Sequence, residues 1–199
     1  MLGERGRCRL PARAGGGGTG VRPKPRMARG SRPYHDRMPS NVTIRPARPE
    51  DGPALLTLQR AVWSPLSEPG PIPPPDANVF DERRPVSGYV VARHGRRTVG
   101  YVAQTPPTSL DSNRHVRQIR GLGVLGSVRG LGIGQALVEA ACQAARAQGA
   151  RRMVLCVLGH NLPARRLYER CGFTVSGVLP EHFLIDGAYV DDIWMSRPL

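Results

Sequence analysis

Lysine is nearly missing from this chain: Lys24 stands alone among 29 basic residues, and the rest are Arg. Together with 24 Gly and 20 Pro, that bias points to a GC-rich coding background, so the net charge of +14 is weak ground for a nucleic-acid surface. No specific nucleic-acid partner is expected. No run of about 18 apolar residues occurs, so no membrane-spanning helix is expected either. The start lacks the apolar core of about 7–15 residues that a secretory signal needs. Cys8, Cys142, Cys156 and Cys171 show neither a C-x-x-C nor a metal-like spacing. Reduced thiols in a cytoplasmic protein without a metal site are the expectation. Cys171 has no His or acid partner identifiable in sequence, which argues against a nucleophile.

Within the first 37 residues, ten Arg or Lys face only Glu4 and Asp36, so eight of the fourteen net positive charges sit there. Gly15 to Gly18 and several prolines interrupt any apolar periodicity. Residues 1–38 therefore read as a disordered basic tail, with Met27 or Met38 the expected true first residue. Residues 39–199 read as one domain, whose remaining charge suits an anionic cofactor.

The most informative stretch is HVRQIRGLGVLGSVRGLGIGQALVEAACQAARAQG, from His115 to Gly149. It reads as a strand over Val116–Val124, a glycine loop, and a helix with Ile133, Leu137, Ala140, Ala141 and Ala144 on its apolar face. Gly149 is expected to stop that helix. A glycine loop that feeds the free N–H groups of a helix start is suited to phosphate. A P-loop would need a Lys followed by Ser or Thr, and neither follows Gly134. Gly121-Leu122-Gly123-Val124-Leu125-Gly126 matches G-x-G-x-x-G, but the helix opens only after a second glycine cluster. The next strand also ends without the acidic residue that a dinucleotide site needs.

What remains is R-x-x-G-x-G over Arg129-Gly130-Leu131-Gly132-Ile133-Gly134, and it resembles the acyl-CoA pyrophosphate loop of the GNAT superfamily of N-acyltransferases. Asn161-Leu-Pro-Ala164-Arg-Arg-Leu167-Tyr168-Glu-Arg-Cys-Gly172-Phe173 resembles that family's second motif, N-x-x-A-x-x-x-Y-x-x-x-G-F, in the expected order. The resemblance extends from about Val42 to Leu199. It implies an α/β (α+β) fold: a mixed, mostly antiparallel sheet with helices on both faces, splayed to hold acyl-CoA.

Elsewhere the pattern predicts a strand over residues 42–45 and a helix over 51–63 with Ala54, Leu55, Leu58 and Val62 on one face. Six prolines make residues 64–81 a mobile loop. Residues 88–93 and 98–104 should form a hairpin turned at His94-Gly95-Arg96-Arg97. After the cofactor helix come a strand over 153–157, a helix capped by Asn161 with Pro163 in its first turn, and strands over 173–178 and 188–196. The stretch from Pro180 to Met195 resembles the closing strand pair of small-amine and protein N-terminal acetyltransferases.

The resemblance further implies acetyl-CoA as acyl donor, bound by Leu122, Val124, Arg129, Gly130, Leu131, Gly132, Ile133, Gly134, Asn161 and Tyr168. The Val124 amide is expected near the acetyl oxygen. Tyr168 is the expected general acid, since a phenol of pKa about 10 can protonate a leaving thiolate of about 8.5. Relatives carry an acid on the central strand, but Val116–Val124 has none, which leaves Glu181, His182, Asp191 and Asp192 as candidate bases. The acids Glu68, Asp76, Asp81, Asp111, Glu181, Asp186, Asp191 and Asp192 cluster in the loops and last strand expected to meet the acceptor, and favour a cationic primary amine. The expected assembly is a monomer or homodimer. The competing reading is a non-catalytic acyl-CoA sensor.

Overall fold

The computed structural model describes residues 39–199. The expectations for residues 1–38 lie outside them. The chain runs β1 (Val42–Pro46), α1 (Gly52–Val62), β2 (Tyr89–His94), β3 (Arg97–Thr105), β4 (Val116–Val124), α2 (Ile133–Ala147), β5 (Arg152–Leu158), α3 (Leu162–Arg170), β6 (Thr174–Ile185) and β7 (Ala188–Pro198). All seven strands form one sheet in the order β1-β2-β3-β4-β5-β7-β6. Only β4 and β5 are parallel. They are the pair joined by the α2 crossover, and a parallel pair needs such a connection.

Alternation along the strands divides the apolar side chains between two faces. Val102, Ile119, Leu155, Met195 and Phe173 are buried with Leu137, Ala141 and Cys142 of α2 in the larger core. Tyr89, Val91 and Ala103 are buried with Leu55 of α1 on the opposite face. Each fully buried side chain of this size contributes about 1.5–3 kcal/mol. In α1, Leu55 and Leu58 are buried, but Ala54 is exposed, contrary to the expected face. One helical step of about 100° carries it away from the sheet. In α2 the buried face is centred on Ile133, Leu137, Ala141 and Ala145, and Ala140 and Ala144 lie half-buried at its margin.

Residues 64–81 contain no helix or strand, as six prolines dictate. The loop is fastened to α1 by Trp63 Nε1, which donates to the Gly70 carbonyl at 3.0 Å, and by the Arg60 guanidinium on the Pro73 carbonyl. The gap between the strands expected over 173–178 and 188–196 is largely strand, because β6 continues to Ile185 and turns tightly into β7. A register shift between Leu179 and Phe183 on the β7 ladder absorbs Pro180, which cannot donate to it, and Glu181 at φ 51°.

The parallel pairing is short. It runs from Val116 with Arg152 to Ile119 with Leu155, yet β4 continues to Val124 and β5 to Leu158. On the other side of β4 the register with β3 slips at the same point, from Ile119 opposite Gln104 to Gly121 opposite Ala103. Arg120 is thus an unpaired bulge residue, and a bulge bends its strand. Beyond it β4 and β5 no longer pair, which is the splay expected from the sequence.

Candidate active site

The splayed edge of β4 presents backbone groups. Leu125 donates its N–H to Val99 on β3 at 2.9 Å. Successive residues of a strand alternate in direction, so the amides and carbonyls of Leu122 and Val124 face away from β3, into the opening. Their side chains pack against the larger core beneath α2.

From Val124 the chain passes through a short turn into the glycine loop. Arg129 is exposed, and its Nε donates to the Val124 carbonyl at 3.1 Å, joining the loop to the strand edge. Gly130 and Gly132 hold φ of 80° and 79°, values that cost an L side chain about 1–2 kcal/mol. Leu131 is exposed, and Ile133 turns its side chain into the core. The first bond of α2 runs from Ala136 N to Gly132 O at 3.0 Å, so the N–H groups of Ile133, Gly134 and Gln135 precede it. Those groups and the helix dipole form a site for an anionic group. The third glycine has a packing role: a Cβ at Gly134 would lie 3.2 Å from Leu167 Cδ2 and 3.9 Å from Val124 Cγ2. Its absence lets the start of α2, the end of β4 and α3 converge.

At the start of α3, Asn161 caps the helix, its Oδ1 accepting from Ala164 N at 3.2 Å. About two turns later, Tyr168 is 6% exposed and packs its ring on Phe173 with centroids 5.8 Å apart. Among the described residues the phenol has no hydrogen-bond partner, yet its oxygen is not one of their sealed, unpaired polar atoms. Burial raises its pKa well above the ordinary phenol value, with Cys171 and Tyr101 pushing the same way. The group therefore stays protonated throughout the working pH range and suits donation to a developing anion.

The sheet face opposite α2 carries the polar groups. Gln118 Nε2 donates to Cys156 Sγ at 3.6 Å, and burial, aided by nearby Asp192, pushes that thiol up to about 11. Tyr101 crosses Gly123 so closely that a Cβ there would meet its ring at 2.6 Å. Neither Tyr101 nor Gln118 was singled out from sequence; the Gly121 and Gly123 pair opposite an aromatic strand residue is the signal that could have found Tyr101. The acids expected to line one acceptor surface divide. Asp81 is paired with Arg84 at 2.6 Å, Asp191 accepts the Glu181 N–H at 2.9 Å, and Asp186 sits at the tip of the β6–β7 hairpin. Asp192 is the buried one, 7% exposed.

Comparisons with known proteins agree with this arrangement. A family model described as Acetyltransferase (GNAT) family matches residues 55–173, the span from α1 to the end of α3. Mycothiol acetyltransferase of Geodermatophilus obscurus is 29% identical over 164 residues, 78% of this chain but 49% of that protein. The chain spans half or less of the length of the first curated relatives it matches. A GCN5-related N-acetyltransferase from Kribbella flavida superposes with a TM-score of 0.66 at 26% identity, covering 80% of this chain and 99% of that one. The fold is shared with yncA of Salmonella typhimurium, solved with its cofactor acetyl-CoA, at a TM-score of 0.69 and 24% identity over 80% and 95% of the two chains. With the family model covering more than half of the sequence and the splayed sheet in place, the chain belongs to the GNAT acetyltransferase family.

Proposed function

We propose that the protein is an N-acetyltransferase that carries an acetyl group from acetyl-CoA to a primary amine, a small polar amine or a protein N-terminus, by direct attack in a ternary complex. The observation that carries this reading is the opening between β4 and β5, where the backbone of Leu122 and Val124, unpaired with β5, adjoins the glycine loop at the start of α2. Acetyl-CoA supplies the activated acyl group as a thioester.

In this reading, residues 129–134 hold the pyrophosphate through main-chain amides, with Arg129 adding a charge-assisted contact. The Val124 amide donates to the carbonyl oxygen as charge builds there. The Tyr168 hydroxyl donates to the departing sulfur. Asn161 keeps the start of α3 closed, which fixes where Tyr168 stands. The donor thus enters beside the α2 loop, and the acceptor approaches from the opposite sheet face, over Tyr101 and Gln118. The likeness to N-acetyltransferases and the acids near this face support an amine.

The test is turnover of acetyl-CoA with a panel of amines, alcohols and arylamines, read by free thiol release. Primary aliphatic amines or peptide N-termini should lead, and salt should weaken them. Stabilisation by acetyl-CoA with no acetylation of any acceptor would instead identify a sensor.

A further inference from the structure

We infer that Asp192 takes the proton from the acceptor amine, because among the described residues it is the one buried carboxylate without a counter-charge, and β7 directs it onto the sheet face opposite the cofactor helix. The inference rests on the proposed N-acetyltransferase reading and assigns a role that the reading leaves empty. Strand β4, the floor of the opening, carries no acid.

The register settles the direction of this side chain. Asp192 pairs with Leu158 on β5 and Leu179 on β6, and its neighbours Ile193 and Met195 alternate with it. Ile193 belongs to the core under α2. Asp192 therefore points to the other face, the one that carries Cys156 and Gln118. Asp191 alternates away from it and is already engaged by the Glu181 N–H at 2.9 Å.

Asp192 is 93% buried, yet among the described residues it makes no salt bridge, and its polar neighbours are only the Cys156 thiol and Trp194. A carboxylate left so costs stability unless something polar comes to meet it. A proton-bearing amine, directly or through one water, is such a partner. The titratable groups around it are His182 on β6, Cys156 on β5 and, further along, Arg120 on β4. Burial raises the carboxyl above its usual range, while His182 pulls it back. A raised carboxyl is the stronger base.

The step balances. The acceptor gives its ammonium proton to solvent and attacks as the neutral amine: its nitrogen forms the bond to the acetyl carbon, and the C–S bond breaks with its electron pair on sulfur. The nitrogen proton passes to Asp192, and sulfur takes the Tyr168 proton. Asp192 then returns its proton to solvent and Tyr168 regains one, leaving amide and free CoA thiol.

The experiment measures kcat/KM against pH with acetyl-CoA and glycinamide or a short peptide as acceptor, for wild type, Asp192→Asn, Asp192→Glu and His182→Gln. Wild type should lose activity on an acid limb. Asp192→Asn should fall roughly 100-fold or more in kcat and lose that limb, with acetyl-CoA stabilisation intact. Asp192→Glu should keep the limb at a reduced rate. His182→Gln should also keep it, and this variant decides the matter if Asp192→Asn does not fold. Wild-type turnover with an unchanged rate and limb in Asp192→Asn, or loss of the limb in His182→Gln, overturns the assignment alone. Absence of wild-type turnover with every amine overturns the proposed function and the assignment together.

Discussion

Gln118 on β4 reaches Cys156 on β5, Nε2 to Sγ at 3.6 Å, diagonally across the last pair that joins the two strands, Ile119 with Leu155. The contact stands at the throat of the opening. Its sulfur is held as a neutral thiol, pushed up to about 11 by burial and by Asp192.

Cys156 should therefore resist iodoacetamide at neutral pH. A free thiol of pKa about 8.5 carries a few per cent thiolate at pH 7, and Cys156 carries far less. Labelling followed by mass spectrometry should show Cys156 modified well below the rate of a model thiol, rising only as pH approaches 11. Fast labelling at pH 7 would contradict the environment described.

Tyr168→Phe removes a hydroxyl that has no partner among the described residues and leaves the ring on Phe173. Stability should change by less than about 1 kcal/mol. Turnover should fall roughly 100-fold with acetyl-CoA affinity unchanged, as steady-state rates and calorimetry on the same variant would show.

Asp51 closes the junction of β1, α1 and β2: it accepts from Arg45 at 2.7 and 2.9 Å and from Arg48 N at 2.8 Å, with Arg93 at 3.6 Å. The Arg45 contact above all holds its carboxyl below the usual range. A depressed pKa adds stability that is fully present above the unfolded value of about 3.9 and is lost as pH falls through the folded one. Asp51→Asn should thus unfold more easily than wild type at pH 7, and the gap should narrow in denaturant titrations below about pH 4.

Much of this was legible in advance because it follows from period and punctuation. β4, the glycine loop, α2 and the Asn161 cap lie where alternation, glycine and an N-cap residue put them. The rest depends on contacts between distant residues. The bulge at Arg120 comes from a slip against Gln104 on β3, and nothing local announces it. Pro180 reads as a break, yet β6 continues because its irregularity can be absorbed at an outer strand. Asp191 and Asp192 look alike in sequence, and only the β5–β7 register places one on the Glu181 N–H and the other on the opposite face, buried beside Cys156.

Arg197 near the end of β7 binds Glu139 of α2 at 2.6 and 3.2 Å and the Cys171 carbonyl at 2.6 Å. It ties the cofactor helix and the end of α3 to the sheet. Arg197→Ala should cost about 2–3 kcal/mol, because it leaves a largely buried carboxylate and a helix-end carbonyl without a partner. Thermal unfolding of the variant checks this, and Glu139→Gln should be milder.

The central claim is that acetyl moves straight from the thioester to an amine nitrogen. Rapid-quench mass spectrometry of protein and amine after mixing with acetyl-CoA tests it most directly. The account predicts acetyl on the amine nitrogen at every time point, with the chain itself, Cys156 included, unmodified throughout. Acetyl held on the chain before it reaches the amine, or acetyl that reaches no amine at all, would contradict it.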